Sequence, residues 1–281
     1  MPLMTEADRL RFRYAARTDV GLVRPHNEDS GFAGPYLLLV ADGVGGAAAG
    51  EIASASTAFA LSSAAIVHDH PDLTGFLAEV IEVAHRQLRD DAELHPERRG
   101  MSTTLTAIMS DGETCAMAHV GDSRAYLLRD GFLTQLSHDH TLVQRLIDTG
   151  ELTEEEALSY PYRSVVLQAV DDRQPPVPDL CELELMVGDR LLICSDGLSD
   201  LVDDQQIADL LYIHDLDDAA KALIAAAVDR GGRDNITCVI GEVETGPLIR
   251  RHGHFVGACG PDNLIDPTPV RLSSAPVRMG A

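Results

Sequence analysis

The stretch Leu37-Leu38-Leu39-Val40-Ala41-Asp42-Gly43-Val44-Gly45-Gly46 poses the choice on which the fold turns: an apolar run ends in a carboxylate and glycines, and a helical pattern follows from about Glu51 to His68. Glycines that follow a strand and open a helix mark a dinucleotide-binding turn in a parallel sheet. Two features oppose that here. Asp42, directly before the first glycine, would repel a pyrophosphate. The helix also leads into a second helix, with Leu73, Phe76, Leu77, Val80, Ala84 and Leu88 at helical spacing, instead of into a parallel strand. The alternative is that the glycines let the Asp42 carboxylate and the Gly43 carbonyl both face a cation. A plain structural turn would suffice if Asp42 stood alone.

It does not. Asp196-Gly197 closes the run Leu191-Leu192-Ile193-Cys194-Ser195, and Asp234-Asn235 opens Ile236-Thr237-Cys238-Val239-Ile240. Isolated Asp-Gly pairs are usually turns. Carboxylates at the ends of several buried strands repel one another, and the usual remedy is a hard divalent cation with oxygen ligands. A metal-assisted hydrolase is the leading expectation. Taken alone, Asp122 in Val120-Gly121-Asp122-Ser123-Arg124 reads as a hairpin tip, and Arg24 and Glu28 read as a solvated ion pair worth little.

Outward from these runs the chain divides as follows. Residues 1–13 are a polar leader, 14–245 one domain, and 246–281 a flexible tail in which Leu248, Ile249, Phe255 and Val256 could dock. Tyr14–Val20 and Ser30–Ala41 read as two strands. From Met101 to Leu136 the pattern alternates with period two, and Asp111-Gly112 and Asp130-Gly131 supply hairpin turns, which predicts one antiparallel meander. Thr141–Tyr160 is helical, with a capping box from Thr153 to Glu156, and forms an inserted flap spanning about 141–170. Strands near 181–186 and 190–195, helices near 204–211 and 218–228, and a strand over 235–243 complete the chain. Without βαβ alternation, antiparallel sheets layered with helices are favoured, an α+β class.

The formal charge of −23 argues against nucleic acid, whose backbone is held by clustered Lys and Arg. The five cysteines are odd in number, lack C-x-x-C spacing, and read as reduced core residues. No apolar stretch reaches membrane-spanning length, so a cytoplasmic, unanchored monomer is expected. His68-Asp69-His70, His138-Asp139-His140 and His252-Gly253-His254 could suggest zinc, but the first and last fit surface loops better.

Taken in order, the motifs are Thr18-Asp19-Val20-Gly21 with Arg24 and Asn27-Glu28-Asp29; Ala41-Asp42-Gly43-Val44-Gly45-Gly46 with Gly50-Glu51; Ser102-Thr103-Thr104; Val120-Gly121-Asp122-Ser123-Arg124; Asp139-His140-Thr141; Cys194-Ser195-Asp196-Gly197-Leu198; and Asp234-Asn235-Ile236-Thr237. Together they resemble the PPM family of metal-dependent protein serine/threonine phosphatases, the type 2C group, in its compact bacterial branch. The resemblance runs from about Arg17 to Val243.

It implies a four-layer α-β-β-α fold, two antiparallel sheets in a sandwich flanked by helices, with a dinuclear Mn2+ or Mg2+ centre at one end. Asp42 would bridge the two ions, Asp196 and Asp234 would complete the first, and the Gly43 carbonyl with Glu28 would serve the second. Asp122 would hold a third, weaker ion with Asp196 and Asp234. Arg24 would grip the substrate phosphate as a bidentate fork. A metal-bridging hydroxide would attack phosphoserine or phosphothreonine in line. Where the animal branch has a histidine after the Asp-Gly pair, this chain has Val44, so a water at the Asp122 site is the expected leaving-group acid. Partners would be phosphorylated proteins, including Ser/Thr kinases and their substrates. Two alternatives are an enzyme dedicated to one small phosphorylated regulator of the anti-sigma antagonist type, and a non-catalytic phosphoprotein-binding pseudophosphatase.

Overall fold

The structure, a computed structural model, describes residues 9–44, 49–67, 72–250 and 252–272. Gly45, Gly46, His68, His70 and the first eight leader residues lie outside the described residues.

The elements run in chain order as β1 (Leu10–Asp19), β2 (Ser30–Ala33), β3 (Leu37–Ala41), β4 (Gly43–Val44), α1 (Gly50–Val67) and α2 (Leu73–Leu94). Next come β5 (Ser102–Thr103), β6 (Leu105–Ser110), β7 (Cys115–Val120), β8 (Arg124–Arg129), β9 (Phe132–Gln135), α3 (Leu142–Asp148) and α4 (Glu154–Ala157). The rest are β10 (Val170–Asp171), β11 (Asp179–Leu183), β12 (Arg190–Cys194), α5 (Asp196–Ser199), α6 (Asp204–Leu211), α7 (Leu216–Asp229), β13 (Ile236–Thr245) and β14 (His254–Gly257).

Two antiparallel sheets stack face to face. One is ordered β1-β13-β12-β8-β9, the other β11-β7-β6-β3-β2-β14, and a small third sheet joins β10, β5 and β4. Alternating side chains explain the layers. Leu38 and Val40 point between the sheets with Phe12, Ile108, Ile193 and Val239, while Leu37 and Leu39 point outward to meet α1 and α2. On the other side, Leu192, Cys194, Ile236 and Ile240 pack beneath α6 and α7. The α+β, four-layer expectation holds.

Two local expectations change. Ser30–Ala41 is a hairpin of two short strands, because Gly34 and Pro35 reverse the chain and the Gly34 N–H bonds the Leu37 carbonyl at 2.9 Å. The run Met101–Leu136 is not one meander: β6 and β7 pair in one sheet, β8 and β9 in the other. The crossover is Gly121-Asp122-Ser123. Gly121 has φ +109°, and a Cβ there would lie 2.6 Å from the Thr104 side chain, so only glycine turns the chain between the sheets at this point. Asp122 therefore sits at the end of the sandwich and not on a hairpin tip. The Thr153–Glu156 capping box forms as expected.

None of the five cysteines is in a disulfide, and Cys115, Cys194 and Cys238 are buried. Cys181 is exposed, contrary to the core expectation, because β11 is an edge strand with one side facing solvent. Residues 252–272, expected as tail, include β14 hydrogen-bonded to β2, with Val270 and Leu272 buried against the helices of the outer layer. No helix of the described residues is long and apolar enough to cross a membrane.

Candidate active site

All seven residues expected at the site, Arg24, Glu28, Asp42, Gly43, Asp122, Asp196 and Asp234, line one cleft of about 440 Å³ at the end of the sandwich. They arrive from separate places. Asp42 follows β3, Asp196 opens α5 after β12, Asp234 precedes β13, Asp122 lies in the crossover, and Arg24 and Glu28 sit in the loop after β1. Strands of both sheets end here, so residues as far apart in sequence as Arg24 and Asp234 converge.

Burial without counter-charge dominates the electrostatics. The Asp42 carboxyl is pushed well above the usual range by burial, then by Asp29, Asp196, Asp122 and Asp234. Asp196 is pushed well up by burial and by Asp122 and Asp234. Asp122 rises to about 6 through burial and the nearby Asp139 and Asp200. Burial also raises Glu28, assisted by Glu51. Each cause favours the neutral acid, so anything positive placed among these groups is strongly attracted.

Backbone geometry holds the donors in place. Thr104 receives the Asp42 N–H on its hydroxyl at 3.0 Å and returns its own N–H to the Asp42 carbonyl at 2.9 Å. A Cβ on Gly43 would lie 2.5 Å from the Gly50 carbonyl oxygen and 2.6 Å from that of Glu28, and one on Gly50 would lie 2.5 Å from Glu28 Oε2. The two glycines thus let Glu28 and the Asp42-Gly43 turn approach each other. Arg24 does not pair with Glu28: its Nη2 donates to Asp234 Oδ2 at 2.7 Å.

Two residues without an assigned role in the sequence prove central. Asn235 Oδ1 accepts the Glu28 N–H at 2.8 Å, while its Nδ2 donates to the carbonyls of Val20 at 2.9 Å and His26 at 3.0 Å. One amide thereby ties the Arg24–Glu28 loop to the start of β13. Asp29 is fully buried, its Oδ2 accepts the Ser195 hydroxyl at 2.7 Å, and its Oδ1 has no hydrogen-bond partner among the described residues. Its carboxyl is raised to about 6, chiefly by burial. The available signal was a carboxylate directly before the small-residue strand Ser30-Gly31-Phe32-Ala33.

Among the described residues, no group of three or more His, Cys, Asp or Glu side chains is arranged to hold a metal ion as placed. Asp234 accounts for part of this, since Oδ2 is engaged by Arg24 and Oδ1 by the Asn235 N–H at 2.8 Å. The donors nevertheless fit a hard cation in kind: they are carboxylates and a carbonyl, without a cysteine or histidine lining the cleft, and Asp29 Oδ1 is a buried orphan beside them. Of the histidine triplets, His138 pairs with Asp148 and His140 with Asp179, outside the cleft.

A second hollow of about 480 Å³ opens beneath the flap and shares Asp122, Arg163, Ser164, Asp196 and Asp200 with the first. Arg124 clamps Asp139 in its floor through three contacts of 2.6–3.1 Å. Arg163, Ser164 and Val166 place the flap on the rim of the acidic cleft.

Fold and site define a two-sheet α-β-β-α sandwich carrying an acid-lined cleft at the strand ends. The family profile for protein phosphatase 2C matches residues 26–235. The chain belongs to the protein phosphatase 2C family. It is 46% identical over 239 residues to the serine/threonine protein phosphatase PstP of Mycobacterium tuberculosis, covering 83% of this chain but only 45% of that relative's length. It is 35% identical over 238 residues to the serine/threonine phosphatase stp of Listeria welshimeri, covering 80% of this chain and 94% of that protein. The crystal structure of the PstP catalytic domain in complex with two manganese ions superposes with a TM-score of 0.78 at 44% identity, over 83% of this chain and 99% of that one.

Proposed function

We propose that this protein is a metal-dependent protein serine/threonine phosphatase. The observation that carries the reading is the convergence of Asp42, Asp196, Asp234, Asp122 and Glu28 on one cleft whose carboxylates are mutually destabilised, with Arg24 at its edge. Asp42, Asp196 and Asp234 would hold one Mn2+ or Mg2+ ion, and Asp42, the Gly43 carbonyl and Glu28 a second. Asp122 would serve a third, weaker site. When bound, such ions supply Lewis-acid neutralisation of phosphoryl charge and an acidified water.

The chain's own residues do the rest. Arg24, half exposed in the cleft, presents its planar fork to phosphate oxygens. Asn235 keeps the Arg24–Glu28 loop in register with Asp234, and Thr104 keeps Asp42 on the cleft wall. Asp122 would assist protonation of the departing serine or threonine oxygen, since Val44 stands where the animal branch has histidine. The flap, at the rim of both hollows, would sort substrates by the residues flanking the phosphate. Phosphorylated proteins, Ser/Thr kinases among them, are the proposed partners, and the cytoplasm the proposed location. A non-catalytic binder would need a missing donor, and every expected donor lines the cleft.

The deciding experiment measures phosphate release from phosphothreonine peptides with Mn2+, Mg2+ or chelator, for wild type and Asp234→Asn. Turnover without metal, or full activity in the variant, would overturn the assignment.

A further inference from the structure

The strand β14 lies beyond the residues matched by the family profile, yet it pairs with β2, the strand that directly follows Glu28 and Asp29. It adds to the edge of its sheet in antiparallel register, His254 opposite Ala33 and Gly257 opposite Ser30. At its end the Ala258 N–H donates to the Asp29 carbonyl at 2.7 Å. Gly257, at φ +79°, is pressed against the same carbonyl: a Cβ there would lie 2.1 Å from the Asp29 oxygen. Phe255 holds the strand from outside, edge-on to Phe32 with ring centroids 5.0 Å apart.

The chain then crosses α1. The Ile265 N–H donates to the Ser56 hydroxyl at 3.0 Å and the Val270 N–H to that of Ser63 at 3.2 Å, and Val270 and Leu272 are buried beyond. The same helix carries Ser54, whose hydroxyl donates to the Glu28 carbonyl at 2.5 Å and contacts Ser30 Oγ at 2.9 Å. One continuous segment thus grips both supports of Glu28 and Asp29: the β2 backbone directly, and α1 through its serines. The Asp29 carboxylate in turn accepts the hydroxyl of Ser195, the residue directly before Asp196, at 2.7 Å.

We propose that residues 252–272 are a built-in buttress that sets the metal affinity of the cleft, with Gly257 and Ala258 as positioning residues acting through Asp29. This rests on the metal-centre reading above. Supports behind ligands are where metal affinity is tuned, and disturbing them typically costs about 10–100-fold. The strand also occupies the edge that β2 would otherwise expose.

The test compares the 281-residue wild type, Gly257→Ala and Gly260→Ala by Mn2+ calorimetry, by melting with chelator and with Mn2+, and by amide hydrogen exchange. At Gly260 only the Ala258 carbonyl approaches an added Cβ, at 4.0 Å, so that variant is the control. Gly257→Ala should lose exchange protection over residues 254–258, bind Mn2+ at least about tenfold more weakly, and show a reduced Mn2+-induced rise in Tm. A merely structural role would lower Tm equally in chelator and in Mn2+. Lost protection with Mn2+ affinity within twofold of wild type overturns the proposal, as does unchanged protection. Should Gly257→Ala fail to fold, Phe255→Ala loosens the same strand without touching Asp29 and must weaken Mn2+ in smaller measure; unchanged affinity there overturns it equally. A wild type that binds no Mn2+ would defeat the metal-centre reading itself, a distinguishable result.

Discussion

Replacing Asp29 by Asn should make the chelated protein more stable and the enzyme worse. Burial raises the Asp29 carboxyl from 3.8 to about 6. A raised folded-state pKa means that its stabilising contribution is present below the unfolded value and is lost as pH rises through about 6. At about 1.36 kcal/mol per pKa unit, the ionised side chain costs on the order of 3 kcal/mol at pH 8 in chelator. Asparagine keeps an oxygen to accept the Ser195 hydroxyl, without the charge. At about 2–4 °C per kcal/mol for a domain of this size, Tm in chelator should rise by roughly 6–12 °C at pH 8. The gain should shrink as pH falls below 6. With Mn2+ the order reverses, because the negative field behind Asp42 is lost, and kcat/KM should drop about 10–100-fold. Thermal melts at pH 5 and pH 8 in chelator, paired with phosphate release in Mn2+, make the measurement. A variant less stable than wild type at pH 8 in chelator, or a difference independent of pH, would refute the reasoning.

Arg24→Lys keeps the charge but loses the fork, so KM for a phosphopeptide should rise about tenfold or more; a value within twofold of wild type would remove Arg24 from phosphate binding. Asp122→Ala should slow phosphoserine-peptide hydrolysis much more than that of an aryl phosphate with a good leaving group, and equal slowing would end its role in protonating the leaving group. His119, buried on β7 with its pKa depressed to about 4 by burial and then by His140, contributes stability that is present above about 6.5 and lost as pH falls toward 4. Acid melts of wild type and His119→Gln should diverge across that window by up to about 3 kcal/mol, and parallel curves would contradict it.

Asp42 and Asp196 were legible at the cleft because each sits where two local signals meet, whereas Asp122, Arg24 and Glu28 stood out only through the order of the motifs. Asp42 and Asp196 end apolar strands and precede glycine, so strand periodicity places them at sheet ends and the glycine marks a close approach. The turns at Asp111-Gly112 and Asp130-Gly131 were readable for the same reason: left-handed φ values such as +50° at Asp130 and +90° at Gly131 are a local property of those residue types. The reversal at Gly34-Pro35 was missed because the apolar pattern continues through it.

By itself, then, the amino-acid order determined which carboxylates end or open the apolar strands and where the helices of the outer layers fall, since residue type, periodicity and turn preference act over a few neighbouring residues. Only the tertiary structure decided that β7 and β8 part into different sheets at Gly121, that Arg24 turns to Asp234, that Asn235 and Asp29 stand behind the donors, and that β14 closes the sheet edge. Those outcomes depend on burial and on partners some 200 residues away, which strand register brings together and local pattern does not encode.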